Sequence, residues 1–229
     1  MKSIRLFPNR LLYLPPLLLV ATLLSCEVQD FGEILEAADG EIRWYSVTQH
    51  AGVSLPLEIA ADGSFTEPRN ANMITIVAVL PEPVDPASIG PANIDFIGRT
   101  NAAAVCDPPF SVSMDAAHTQ VRVTVFGLTD IARYRIRLKN ENGVELSQRV
   151  FARFMGDVLS GDSLVDTIDS DKVLAFVNDP DDLDPTNELH VRADIDCDFI
   201  HFTGDLTTLQ SGSPAGYPRT LTATVPDFP

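Results

Sequence analysis

Asp194-Ile195-Asp196-Cys197-Asp198, followed by Asp205, places carboxylates at positions 1, 3, 5 and 12 of a twelve-residue loop. A hard divalent cation such as calcium takes roughly six to eight oxygen ligands, and a chain that returns a carboxylate at every second residue can wrap one ion. The backbone carbonyl of Ile200 stands at the seventh position and adds another oxygen. Asp205 opens a helix expected over 205–210, where a carboxylate also complements the positive helix end. An earlier version of the pattern runs from Asp157 through Asp162 to Asp169, ahead of an apolar-periodic stretch over 172–177. The expected metal-binding residues are Asp194, Asp196, Asp198, Ile200 and Asp205 in one loop and Asp157, Asp162 and Asp169 in the other, with Ca2+ as the cofactor.

The charge distribution points the same way. The 229 residues include 16 basic and 32 acidic side chains, a net charge of −16. Residues 155–212 hold 14 acidic positions against only Lys172 and Arg192, so −12 of that total sits in about a quarter of the chain. Such a chain lacks the clustered Lys and Arg that phosphate backbones require, and no nucleic-acid partner is expected.

Two loop–helix units in tandem resemble a dockerin type I module, the paired calcium loop–helix motif that docks bacterial carbohydrate-active enzymes onto cohesin scaffolds. The resemblance implies that calcium orders the unit and that its helices face a cohesin-like or other extracytoplasmic protein, in adhesion, scaffolding or docking within assemblies that handle cell-surface polysaccharide. The first loop is thirteen residues long, and the second has Phe199 where the motif has glycine and His201 at a normally apolar position. The second loop is therefore expected to bind calcium more readily than the first. A competing set of letters is Gly161-Asp162-Ser163-Leu164 with Asp198-Phe199-Ile200-His201, which spells the nucleophile and Asp-x-x-His blocks of GDSL esterases. That family needs Ser, His and Asp converging beside an oxyanion hole on a full α/β domain. Here only 38 residues separate Ser163 from His201 and no strand pattern precedes the serine. The expectation is a non-catalytic protein, with an extracytoplasmic hydrolase as the alternative.

The N-terminus reads as an address. Lys2, Arg5 and Arg10 precede an apolar run over 11–24 that is too short to span a bilayer and contains Pro15-Pro16. Leu23-Leu24-Ser25-Cys26 resembles the lipobox of bacterial lipoproteins, which implies a signal peptide over 1–25, lipidation of Cys26 and attachment to a membrane outside the cytoplasm. Glu27, which is not the Asp of inner-membrane retention, directs the expectation to the outer membrane or cell surface of the envelope. In that oxidising compartment Cys106 and Cys197 could form one disulfide or remain separate thiols.

These sites need elements to position them. After a linker over 26–39, residues 40–154 read as about eight short strands with Asp62-Gly63 and Asn142-Gly143 turns. Expected strands are 43–47, 55–59, 74–80, 94–97, 110–114, 121–125, 134–138 and 144–154. Alternation in Val121–Val125 and Tyr134–Leu138 gives each one buried face, whereas the continuous run over 74–80 suits a strand covered on both sides. Trp44 is expected in the core. With Pro83-Val84-Asp85-Pro86-Ala87-Ser88-Ile89 after a strand, Glu67-Pro68-Arg69 upstream, and Gly127-Leu128 with Tyr134 before the last strands, this stretch resembles a bacterial immunoglobulin-like domain. The expected fold class is mainly β: an Ig-like β-sandwich over 40–154 followed by a small α-helical paired calcium-loop module over 155–212 and a flexible tail over 213–229.

Overall fold

The computed structural model describes residues 35, 40–100, 104–159, 164–177, 183–198, 203–211 and 219–220. It is mainly β. One sheet has the order β2-β1-β4-β7-β6, formed by β1 Arg43–His50, β2 Val53–Glu58, β4 Met73–Val79, β6 Phe110–Met114 and β7 Gln120–Phe126, all antiparallel. The other has the order β3-β9-β8-β5, formed by β3 Thr66–Glu67, β5 Ile94–Thr100, β8 Ala132–Lys139 and β9 Glu145–Arg153. All eight expected strands are present. The two-residue β3, which Pro68 cuts short, is the addition, and it runs parallel to β9 with Thr66 opposite Ala152 and Glu67 opposite Arg153.

Alternation places Trp44, Leu55, Ile74, Ile76 and Val123 from one sheet against Phe96, Tyr134, Ile136 and Phe151 from the other, forming one core. Phe96 stacks on Phe151 and lies beside Tyr134, with ring centroids 6.2 and 5.6 Å apart. Gly98 makes that packing fit, because a Cβ there would stand 2.4 Å from the Tyr134 ring. The Tyr134 hydroxyl turns back to the backbone of Thr129, accepting from its N–H at 2.7 Å and donating to its carbonyl at 3.3 Å. Trp44 is buried, as expected, and its Nε1–H donates to Ser147 Oγ at 2.9 Å. The apolar run in β4 is covered on both faces: Val77 and Val79 form a second cluster with Tyr45, Val47 and Leu35, which brings one residue of the expected linker onto the sheet.

Beyond β9 the chain forms β10 Leu164–Val165, α1 Thr167–Val177, α2 Glu188–Ala193, α3 Thr203–Ser211 and β11 Arg219–Thr220. The helices expected at 172–177 and 205–210 are α1 and α3. α2 has no counterpart among the expected elements, and β11 lies in the expected tail, paired antiparallel to β10 with Leu164 opposite Thr220. α1 begins with a capping box: the Asp166 carboxylate accepts from Ile168 N–H at 2.7 Å, and Asp169 accepts from Asp166 N–H at 3.0 Å. Phe154, Met155, Val158, Val173, Ala193, Ile195 and Leu209 form this unit's own core, which continues without a break from Ala152 of β9. Leu183 and Val191 pack instead into the sandwich core. No helix of the described residues is long and apolar enough to cross a membrane.

Candidate metal centre

The two loops expected from the aspartate spacing share one local plan. Asp169 and Asp205 are each the third residue of their helix. Oδ1 of Asp169 accepts from the N–H groups of Val158 and Leu159 at 2.8 and 3.1 Å. Oδ1 of Asp205 accepts from Ile195 and Asp196 at 2.7 and 3.3 Å. In both cases these are the second and third residues of the loop. One buried carboxylate thus ties the start of each loop to the start of its helix, where the helix dipole also favours it. Val158 and Ile195, which follow the first aspartate of each loop, enter the same core.

In the second loop Asp194, Asp196 and Asp198 are brought together, each offering an oxygen within 4.8 Å of the others. Asp194 is fully buried and Asp198 is exposed, so the cluster runs from the interior to the surface. Asp194 Oδ1 accepts from Asp198 N–H at 3.1 Å, closing the turn. Burial, followed by the charges of Asp198 and Asp194, raises the pKa of Asp196. No donor among the described residues reaches the buried Asp196 Oδ1. Gly204 leaves room for the same side chain, since a Cβ there would stand 2.6 Å from Asp196 Oδ2. Crowded carboxylates with an oxygen lacking a protein donor are the donor set that a hard cation satisfies, and the trio could hold a metal ion. Asp205 serves the loop backbone through Oδ1, and Ile200 and Asp162 lie outside the described residues.

The sandwich contributes directly to this loop. His50, at the end of β1, is buried with Nδ1 2.5 Å from Asp194 Oδ2 and Nε2 2.8 Å from Thr48 Oγ1. This hydrogen bond fixes the orientation of Asp194. Ala51 N–H donates to Cys197 O at 3.1 Å, and Asn70 N–H donates to Ile195 O at 2.6 Å. Ala51 and Cys197 have φ of 48° and 64°, left-handed values uncommon for residues other than glycine, so strained backbone on both sides meets at this contact.

Beside the loop lies a buried charged junction. Arg69 forks onto Glu67, with Nη2 2.7 Å from Oε2 and Nε 2.7 Å from Oε1, and the pair is fully buried. Ser46 Oγ donates to the same carboxylate, and Arg153 donates to the Arg69 carbonyl. Burial pushes the Glu67 pKa up, but Arg69 and Arg153 outweigh it and hold the group at about 2. Arg192 of α2 crosses to Thr66 of β3, its Nη1 donating to the carbonyl at 3.0 Å and its Nη2 to the hydroxyl at 2.8 Å.

The aspartate pattern carried the loops, but His50, Glu67, Arg69, Arg153, Arg192 and Gly204 were not read as site residues. The only signals for them were Glu67-Pro68-Arg69 interrupting a β-rich stretch and Arg192 standing as a rare cation in an acidic one. Cys106 and Cys197 are free thiols. Cys106 lies by Tyr134, Asp107 and Arg99, whereas Cys197 lies by Arg69, Asp194 and Glu67, where burial pushes its thiol up to about 12. Ser163 and His201 of the esterase alternative, and Cys26 of the lipobox, lie outside the described residues. Among known proteins, no family model and no curated protein matches the chain.

Proposed function

We propose that this is a non-catalytic, lipid-anchored protein of the cell envelope in which an immunoglobulin-type sandwich carries a dockerin-like, calcium-binding unit for docking an extracytoplasmic protein. The observation that carries this reading is the repeated loop–helix geometry together with the Asp194, Asp196 and Asp198 cluster. Asp194, Asp196 and Asp198 would hold the ion, and a divalent cation would offset the repulsion among their charges. His50 would keep Asp194 aimed, as a hydrogen bond to a ligating carboxylate does. The sandwich assignment is supported by the strand order, by the parallel closure of β3 on β9, and by the Tyr134 hydroxyl returning to Thr129 as in a tyrosine corner. A docking role is supported by α1, which leaves the large apolar side chains of Ile168 and Leu174 exposed. Lipidation of Cys26 rests on the lipobox resemblance.

The test is calorimetric titration of the chain with calcium. Binding that disappears in Asp196→Asn supports the reading, and no heat at millimolar calcium sinks it. Incorporation of labelled palmitate that is lost in Cys26→Ala tests the anchor separately.

A further inference from the structure

The two loops share a backbone plan but differ in what gathers at their heads. Superposing their hydrogen bonds makes Asp157 the counterpart of Asp194 and Leu159 the counterpart of Asp196. Where the second loop collects three carboxylates, the first has an apolar side chain at its third position and a fully buried Asp157 at its first. The guanidinium of Arg192 sits against the main chain of this loop. Arg192 Nε donates to the Val158 carbonyl at 2.7 Å and Nη2 to the Asp157 carbonyl at 2.7 Å, while Nη1 and Nη2 hold Thr66 on the other side. Burial lowers the pKa of Arg192, and the Asp157 carboxylate is the foremost charge acting against that. An arginine keeps its charge in such surroundings, and its planar fork satisfies several oxygens at once.

We propose that Arg192 is the resident cation of the first loop: its guanidinium gathers the Asp157 and Val158 carbonyls and supplies a positive charge beside Asp157, so the start of the loop at 157–159 is held in place without calcium. The arrangement has two consequences. The first loop is locked to β3 whether or not metal is present, because the same guanidinium holds both. Calcium then binds once per chain, in the loop headed by Asp194; this second consequence rests on the calcium reading above, and the first does not.

Amide hydrogen exchange of the full chain in excess chelator tests the metal-independent part. The N–H groups of Val158 and Leu159 are expected to be protected without calcium and to gain nothing when it is added. In Arg192→Ala their exchange is expected to quicken by on the order of tenfold or more, as for loss of a charge-assisted hydrogen-bond set, and to be restored by low-millimolar guanidinium chloride but not by equal sodium chloride. Wild-type amides that are unprotected in chelator and become protected with calcium overturn the proposal, and this readout does not depend on whether the variant folds. Native mass spectrometry with calcium supplies the stoichiometry. One ion, lost in Asp196→Asn, is the expected result, and two ions, one of them lost in Asp157→Asn, overturn the assignment of the first loop. No bound ion combined with metal-independent protection leaves Arg192 as the resident cation and removes only the calcium reading of the second loop.

Discussion

Between the two sheets the interior consists of Trp44, Phe96, Tyr134, Phe151 and aliphatic side chains, whereas between the sandwich and the C-terminal unit Glu67, Arg69, Arg153, Asp157, Arg192, Asp194 and His50 are buried beside apolar contacts such as Val191 and Ala152. The first interior stabilises in proportion to the apolar area withdrawn from water and tolerates rearrangement of similar volumes. The second gains little net stability over an apolar equivalent, since desolvating each ion offsets most of its attraction, but it becomes costly when one partner is lost. That contrast teaches how the C-terminal unit is placed. A flat apolar contact could slide, whereas Arg192 on Thr66 and His50 on Asp194 admit a single register between the unit and the sheet edge.

Four measurements break or sharpen this comparison. The largest effect is expected for Phe151→Ala, a loss of about 4 kcal/mol from the denaturant midpoint, equal at neutral and acidic pH because no titrating group is involved. Glu67→Gln is expected to cost about 3 kcal/mol or more at neutral pH, since Arg69 and Arg153 lose their carboxylate, with the penalty fading towards pH 2. An equal penalty at both pH values would remove the charged interior from the explanation. The sign follows from linkage: Glu67 is held at about 2 in the folded protein against 4.5 as its ordinary value. Its contribution is therefore complete above 4.5 and is lost as the pH falls through the folded value, amounting to about 3 kcal/mol.

A smaller effect is expected at the second loop. His50→Asn or Gly204→Ala should weaken the calcium binding proposed for this loop by roughly ten- to a hundredfold, the first by releasing Asp194 and the second by displacing Asp196, while melting in chelator changes less. Unaltered affinity in both variants would separate the loop from the sandwich. The smallest effect is Tyr134→Phe, which keeps the ring packing and loses the hydroxyl's bonds to Thr129 and to Cys106, for about 1 kcal/mol by thermal or chemical unfolding.

Much of the sandwich was legible because period-two alternation is a local property. Val121–Val125 and Tyr134–Leu138 announce their buried faces without reference to any partner, and the unbroken apolar run in β4 announces burial on both. β3 was not legible, because two residues have no period, and α2 was hidden because six residues in an acidic stretch show no apolar face. The same division runs through the site. Asp194, Asp196 and Asp198 can converge because their spacing is short, and the sequence carries that information in full. The partners at long separation carry none: His50 meets Asp194 across 144 positions and Arg192 meets Thr66 across 126.

The amino-acid sequence by itself determined the eight longer strands, the two loop–helix repeats and the concentration of acidity within them, since each depends on neighbours a few residues apart. Tertiary structure alone decided that one repeat gathers carboxylates while the other receives a guanidinium, and that both are fastened to the sandwich through buried charge. The physical reason is that a buried ion is tolerated only where its counter-charge and its hydrogen-bond partners arrive together, and those partners come from segments that only folding brings into contact.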